Sequence, residues 1–114
     1  MYFFKKLFLS KKIKRFAQNE LDNNLIKECK KFSNTNDLEK IKLLIENGAN
    51  IDTQDKYIFE DKKGIQLLST GQTTPLMFAC MLRSIKVVKF LLENGANPNL
   101  KSATGQTALM MATI

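Results

Sequence analysis

Few residues in this chain of 114 could do covalent or acid–base chemistry. They are Cys29, Cys80 and a scatter of carboxylates, of which Glu60–Asp61 is an adjacent pair. A thiol becomes a nucleophile when a neighbouring base or cation activates it, and neither cysteine has an obvious activating partner. The chain holds no histidine, which removes the ordinary triad, the commonest general base and the usual catalytic zinc ligand. No glycine-rich phosphate loop is present. Glu60–Asp61 adjoins Lys62–Lys63, an arrangement that reads as a solvated charge cluster in an exposed turn. The expectation is a chain without catalysis, metal, cofactor or small-molecule substrate. Cys29 and Cys80 lie far apart without metal-ligand spacing and read as two reduced, half-buried thiols.

What the residues can do instead is bind, and a repeating pattern positions them. Thr74–Pro75–Leu76–Met77–Phe78–Ala79 opens a unit that closes at Glu93–Asn94–Gly95–Ala96–Asn97. Its opening recurs at Thr107–Ala108–Leu109–Met110–Met111–Ala112, an offset of 33 residues, and its close recurs upstream at Glu46–Asn47–Gly48–Ala49–Asn50. A fixed period of that size signals stacked repeats. Pro75 suits the first turn of a helix, where its missing N–H would be unpaired anyway. Leu76, Ala79 and Cys80 then face inward, and small Ala79 lets the next helix approach. Ile85, Val87, Val88, Leu91 and Leu92 give that second helix a wide apolar face, with Lys86, Lys89 and Glu93 on its wet side. Gly95 and Gly48 stop their helices, because the position after a helix often needs positive φ.

The first unit is less regular. Leu25, Ile26 and Cys29, extended by Phe32, line one helix. A polar turn at Ser33–Asn34–Thr35–Asn36 follows, with Asp37 as N-cap. Leu38, Ile41, Leu44 and Ile45 recur at helical spacing in the next helix. The glycine stops Gly48 and Gly95 are 47 apart, so 14 residues beyond the period fall in the connector. There Tyr57–Ile58–Phe59 and Ile65–Gln66–Leu67–Leu68 flank Glu60–Gly64, which predicts a hairpin inserted over about 53–71. The third unit opens at Gly105–Gln106–Thr107 and reaches Ile114 within its first helix. About two and a half units are expected, without the helix that would pack beside Val88, Leu91 and Leu92. Such a chain reads as a fragment of a longer array, a truncated product without independent function, or a fold completed by another chain.

Charge is concentrated at the start. Of the net +7, residues 1–20 carry +5, from Lys5, Lys6, Lys11, Lys12, Lys14 and Arg15 against Glu20. Phe3, Phe4, Leu7 and Phe8 share one helical face, whereas Leu9, Ile13, Phe16 and Ala17 share roughly the opposite one. That change of side predicts two short amphipathic helices broken near Ser10. Residues 1–24 are expected to form a basic amphipathic segment, which caps the first repeat with Leu9, Ile13 and Phe16, sits on an anionic membrane, or meets nucleic acid or an acidic protein. Lys5 and Lys6 interrupt the apolar run and no small-residue cleavage site follows, so the segment does not read as a secretory signal. No stretch approaches the length of a membrane span.

At these residues the chain resembles the ankyrin repeat family, whose opening is T-P-L-H-x-A and whose period is about 33 residues. Thr74, Pro75, Leu76 and Ala79 match, and Met77 stands where the family has histidine. Thr107–Ala112 lacks both the proline and the histidine. Both glycine stops look like the family's closing E-x-G-A-D-x-N. The resemblance covers residues 25–114, as repeats of about 25–52, 72–104 and a partial 105–114. It implies an all-α repeat solenoid of helix–turn–helix pairs with β-hairpin connectors, held by Thr74, Pro75, Leu76, Ala79, Gly48, Gly95, Gly105 and Thr107. It also implies a non-enzymatic, cytoplasmic protein-binding scaffold that uses hairpin tips and a concave face. Carried over by position, that face comprises Met77, Phe78, Met81, Leu82, Arg83, Lys101, Ser102, Ala103 and Thr104. Lys62 and Lys63 at the tip of the insertion join the same expected surface. The methionines and Phe78 read either as a pliant apolar patch or as core between repeats. Nucleic acid is not the expected partner.

Overall fold

The computed structural model describes residues 2–31, 36–55 and 71–113, with side chains from Lys11 onward. Five helices follow in order: α1 (Tyr2–Cys29), α2 (Leu38–Glu46), α3 (Pro75–Met81), α4 (Ile85–Glu93) and α5 (Ala108–Ala112). α1 packs on α2, α3 on α4, and α1, α3 and α5 stand in a row. The expected solenoid of helix pairs is therefore what forms.

Local chemistry explains the helix ends. Asp37 caps α2 by accepting the Lys40 N–H at 3.2 Å, and Thr74 caps α3 by accepting that of Met77 at 3.2 Å. Thr107 caps α5 through the Met110 N–H at 3.4 Å. Each such cap contributes about 1 kcal/mol by satisfying an orphan donor of the first turn. Gly48 and Gly95 close α2 and α4 at φ +102° and +89°, the left-handed conformation their place requires.

Two expectations about the N-terminal segment are corrected. α1 runs unbroken through Ser10, since one serine does not end a helix and the segment contains neither glycine nor proline. The change of apolar face forces no break because residues 11–20 are exposed: Ile13 and Phe16 stand in solvent rather than on the first repeat. Only the last turns of α1 enter the array, where Leu25, Ile26 and Cys29 are buried. They reproduce the spacing of Leu76, Met77 and Cys80, so the end of α1 serves as the first helix of the first pair. Phe32 and the turn 33–35 lie outside the described residues.

A single core runs through the stack. Leu25, Ile41, Leu76, Met77, Val87 and Leu91 are all at most 2% exposed. Two carboxylates are buried among the described residues, Glu28 and Asp55, and Glu28 lies at the first junction. Glu28 accepts the Asp37 N–H at 2.7 Å through Oε1, and its Oε2 lies 2.8 Å from Lys31 Nζ. A buried charge is tolerable only when paired and hydrogen-bonded, and here the pairing joins the end of α1 to the start of α2. Asn36 extends the junction: its amide donates to the Glu28 carbonyl at 2.9 Å, while its Oδ1 accepts the Ser84 hydroxyl at 2.8 Å. Ser84, which precedes α4 without capping it, is thereby tied to the equivalent turn of the preceding pair.

The units are held in register along the other edge by a ladder of acceptors. Asp22 Oδ1 accepts the Asn50 N–H at 2.7 Å, and Asp52 Oδ1 accepts the Asn97 N–H at 2.8 Å. Asn50 and Asn97 are equivalent residues, each two beyond its glycine stop. α1 thus supplies, from Asp22, the carboxylate that a preceding unit would offer. Gln18 strengthens the rung by donating to Asp22 at 2.8 Å and to the Gly48 carbonyl at 2.9 Å.

Candidate functional site

The connectors project from the helix pairs and stand side by side. Asp55 and Thr73 form an antiparallel bridge, Asp55 N–H donating to the Thr73 carbonyl at 3.0 Å. The inserted segment therefore leaves and returns at one point. Lys62, Lys63 and the expected hairpin around them lie outside the described residues. Lys30 at the end of α1 pins this base, its Nζ 2.9 Å from Asp55 Oδ2 and 5.1 Å from the centroid of the Phe78 ring.

The next connector docks on the first through backbone groups. The Ala103 N–H donates to the Gly71 carbonyl at 3.1 Å, and the Gln54 amide donates to the carbonyls of Gln72 at 2.9 Å and Lys101 at 3.1 Å. Ser102 is buried beneath the turn. Its N–H donates to the Gln106 carbonyl at 2.8 Å, and its hydroxyl accepts the Gln106 N–H at 3.3 Å and lies 3.1 Å from that of Thr104. Above this support Lys101, Ala103 and Thr104 are exposed. Gly105, at φ +79°, makes the turn, and Gln72 adopts φ +55° at the position equivalent to it.

The residues singled out on α3 divide by depth. Met77 and Phe78 belong to the core, at 1% and 5% exposed. Met77 Sδ accepts the Thr74 N–H at 3.4 Å, so the thioether completes a reciprocal cap with the residue that caps it. Met81 and Leu82 are half-buried, and Arg83 is exposed at φ +54° in the turn before α4. The expected contact surface divides accordingly: Lys101, Ala103 and Thr104 are exposed at the connector tip, Met81 and Leu82 are half-buried at the end of α3, and Arg83 is exposed in the turn that follows. Sequence reasoning missed the residues that order this surface. Gln54, Lys30 and Asp55 act across units, and nothing in their local sequence announces it.

Reactive groups are muted. Burial, reinforced by the Glu28 charge, pushes the Cys29 thiol from 9.0 up to about 12, and burial also raises Cys80. Neither cysteine is in a disulfide. Among the described residues no group of three histidine, cysteine or acidic side chains could hold a metal ion, and no helix is long and apolar enough to cross a membrane.

Three comparisons bear on this arrangement. A family profile described as ankyrin repeats (3 copies) matches residues 29–114. The mouse (Mus musculus) protein "Ankyrin repeat, SAM and basic leucine zipper domain-containing protein 1" is 32% identical over 88 residues, covering 77% of this chain and 15% of its own length. "Zygote-specific protein 3" of Chlamydomonas reinhardtii is 35% identical over 75 residues, covering 66% of this chain and 20% of its own. The chain thus spans a fifth or less of these relatives.

A thiol reacts as its thiolate, so at pH 8 iodoacetamide should label Cys80 in the native protein and leave Cys29 unmodified until denaturant is added. Because the folded value lies above the unfolded one, the protonated thiol stabilises the fold below about pH 9 and that contribution is lost as pH rises toward 12. Equal labelling rates for both cysteines, read by mass spectrometry, would contradict the buried placement of Cys29.

Proposed function

The chain belongs to the ankyrin repeat family, and from that premise we propose that it is a non-enzymatic scaffold that binds another protein across its connector tips and the adjoining first-helix surface. Ankyrin repeats are generally protein–protein interaction modules. The observation that carries the reading here is the ordered connector between α4 and α5. Buried Ser102 and the Gly71 and Gln54 contacts hold Lys101, Ala103 and Thr104 outward, so little conformational entropy opposes their use in binding. Met81, Leu82 and Arg83 add an adaptable apolar contact with a cation beside it. Lys62 and Lys63 belong to the same proposed surface. A cytoplasmic setting suits the two reduced thiols.

Capture from a lysate tests the reading. The partner held by the wild-type chain should be lost from a Lys101→Glu/Ala103→Trp variant with an unchanged thermal melt. It should be retained by Leu43→Asp, which changes an exposed position on α2. Retention of the same partner by the tip variant sinks the assignment.

A second reading concerns α1. Its exposed stretch carries Ile13 and Phe16 on one face and Lys11, Lys14 and Arg15 on roughly the other, the composition of a helix that lies on an anionic membrane surface. Full-length protein should then sediment with phosphatidylserine vesicles at low salt and be released at high salt. Binding unchanged by Ile13→Asp/Phe16→Asp removes the proposal.

A further inference from the structure

The second helix of each pair ends on the same dipeptide, Asn47–Gly48 after α2 and Asn94–Gly95 after α4. Each residue is there for a local reason. The asparagine amide turns back onto a carbonyl of the last turn, Asn47 Nδ2 donating to that of Leu43 at 2.7 Å and Asn94 Nδ2 to that of Phe90 at 2.8 Å. The glycine supplies positive φ. That φ alone demands it, since a Cβ at either glycine would meet nothing within 4 Å.

The same pair is the one most prone to cyclise in a peptide chain. The glycine N–H gives its proton to hydroxide, and the nitrogen attacks Cγ of the preceding asparagine. The Cγ–Nδ2 bond breaks, Nδ2 takes up a proton, and ammonia leaves a five-membered imide. Water then opens the imide at either carbonyl, giving aspartate or isoaspartate. Glycine suits the attack because no side chain crowds its nitrogen.

All four residues are exposed, so water and hydroxide reach them and only conformation can hold the reaction back. Ring closure needs the glycine nitrogen to eclipse Cβ of the asparagine. At ψ of 3° for Asn47 and 17° for Asn94 it eclipses the asparagine's own backbone nitrogen instead. The attacking N–H is also engaged, Gly48 donating to the Ile45 carbonyl at 3.0 Å and Gly95 to that of Leu92 at 3.2 Å. The next residue locks each stop: the Ala49 N–H donates to the Leu44 carbonyl at 2.9 Å, and that of Ala96 to the Leu91 carbonyl at 3.0 Å. Just beyond lie the rungs at Asn50 and Asn97. Closing the ring therefore requires the stop to open.

We propose that Asn47–Gly48 and Asn94–Gly95 are modification sites that the stacked array keeps closed and that unfolding of a unit opens. Isoaspartate lengthens the backbone by a methylene and carries the rung N–H away from its acceptor. Either product sets a carboxylate at the negative end of a helix dipole. A transient opening is thereby recorded as a permanent loss of register.

The test holds the full chain at pH 8 with and without urea and reads aspartate and isoaspartate at both positions by peptide mass spectrometry. Conversion should be at least about tenfold slower in the folded chain, because it waits on local opening. Asp52→Ala, which removes the rung beside Gly95, should speed conversion at Asn94 in the folded chain and leave Asn47 unchanged. Glutamine cyclises far more slowly than asparagine. Asn47→Gln/Asn94→Gln should therefore regain its native circular dichroism after a urea incubation that leaves the wild type unable to refold. Equal rates in folded and unfolded chains, or indifference of Asn94 to Asp52→Ala, overturns the proposal. So does loss of refolding by the double variant at the wild-type rate.

Discussion

Everything in this structure depends on a side-chain oxygen of one unit reaching the backbone N–H just past the glycine stop of the next. Asp22 does this for Asn50 and Asp52 for Asn97. Helices of five to nine residues, as α2 to α5 are, are too short to persist alone, and ridges packed into grooves tolerate small slips. A carboxylate acceptor fixed in one place does not. Each bond contributes about 1 kcal/mol, discounted for the water that reaches it, yet together they fix the spacing at which Leu25, Leu76 and Leu91 share one core. The connectors depend on the same register, since Gln54 can reach the Lys101 carbonyl only when the units are aligned.

Much of this was legible in residue types. Thr74, Pro75, Asp37, Gly48 and Gly95 each perform the local task their chemistry predicts, because caps and stops are decided within one turn of chain. The inward face of Leu25 and Ile26 was also readable, whereas Cys29, expected half-buried like Cys80, is fully buried because it sits where α1 enters the core. Leu91, expected with Val88 and Leu92 on an unpacked face of α4, falls inward, on the side that faces α3. The N-terminal segment was misread for a physical reason. An apolar stripe that changes sides implies a break only if both halves are packed, and α1 leaves residues 11–20 in solvent, where no packing demands a single face.

The working surface was legible only in part. The position of the connector between α4 and α5 follows from the repeat, but its rigidity comes from Ser102, Gly71 and Gln54, which meet across up to 47 residues of sequence. Met77 and Phe78 carry the ambiguity of every methionine and phenylalanine at helical spacing, and depth alone separates core from patch. Met77 also shows how the family's histidine can be replaced: its thioether accepts the Thr74 N–H while the residue stays in the core. Glu28 and Asn36, the most connected polar residues near the first turn, carry no local mark of that role.

The most direct test of the central claim is amide hydrogen exchange at Asn50 and Asn97 in the wild type and in Asp52→Ala. Both asparagines are exposed, so protection of their N–H groups reports the ladder rather than burial. The account predicts that both are protected in the wild type and that Asp52→Ala strips protection from Asn97 while leaving Asn50 unchanged. Equal protection of Asn97 with and without the Asp52 carboxylate would contradict it.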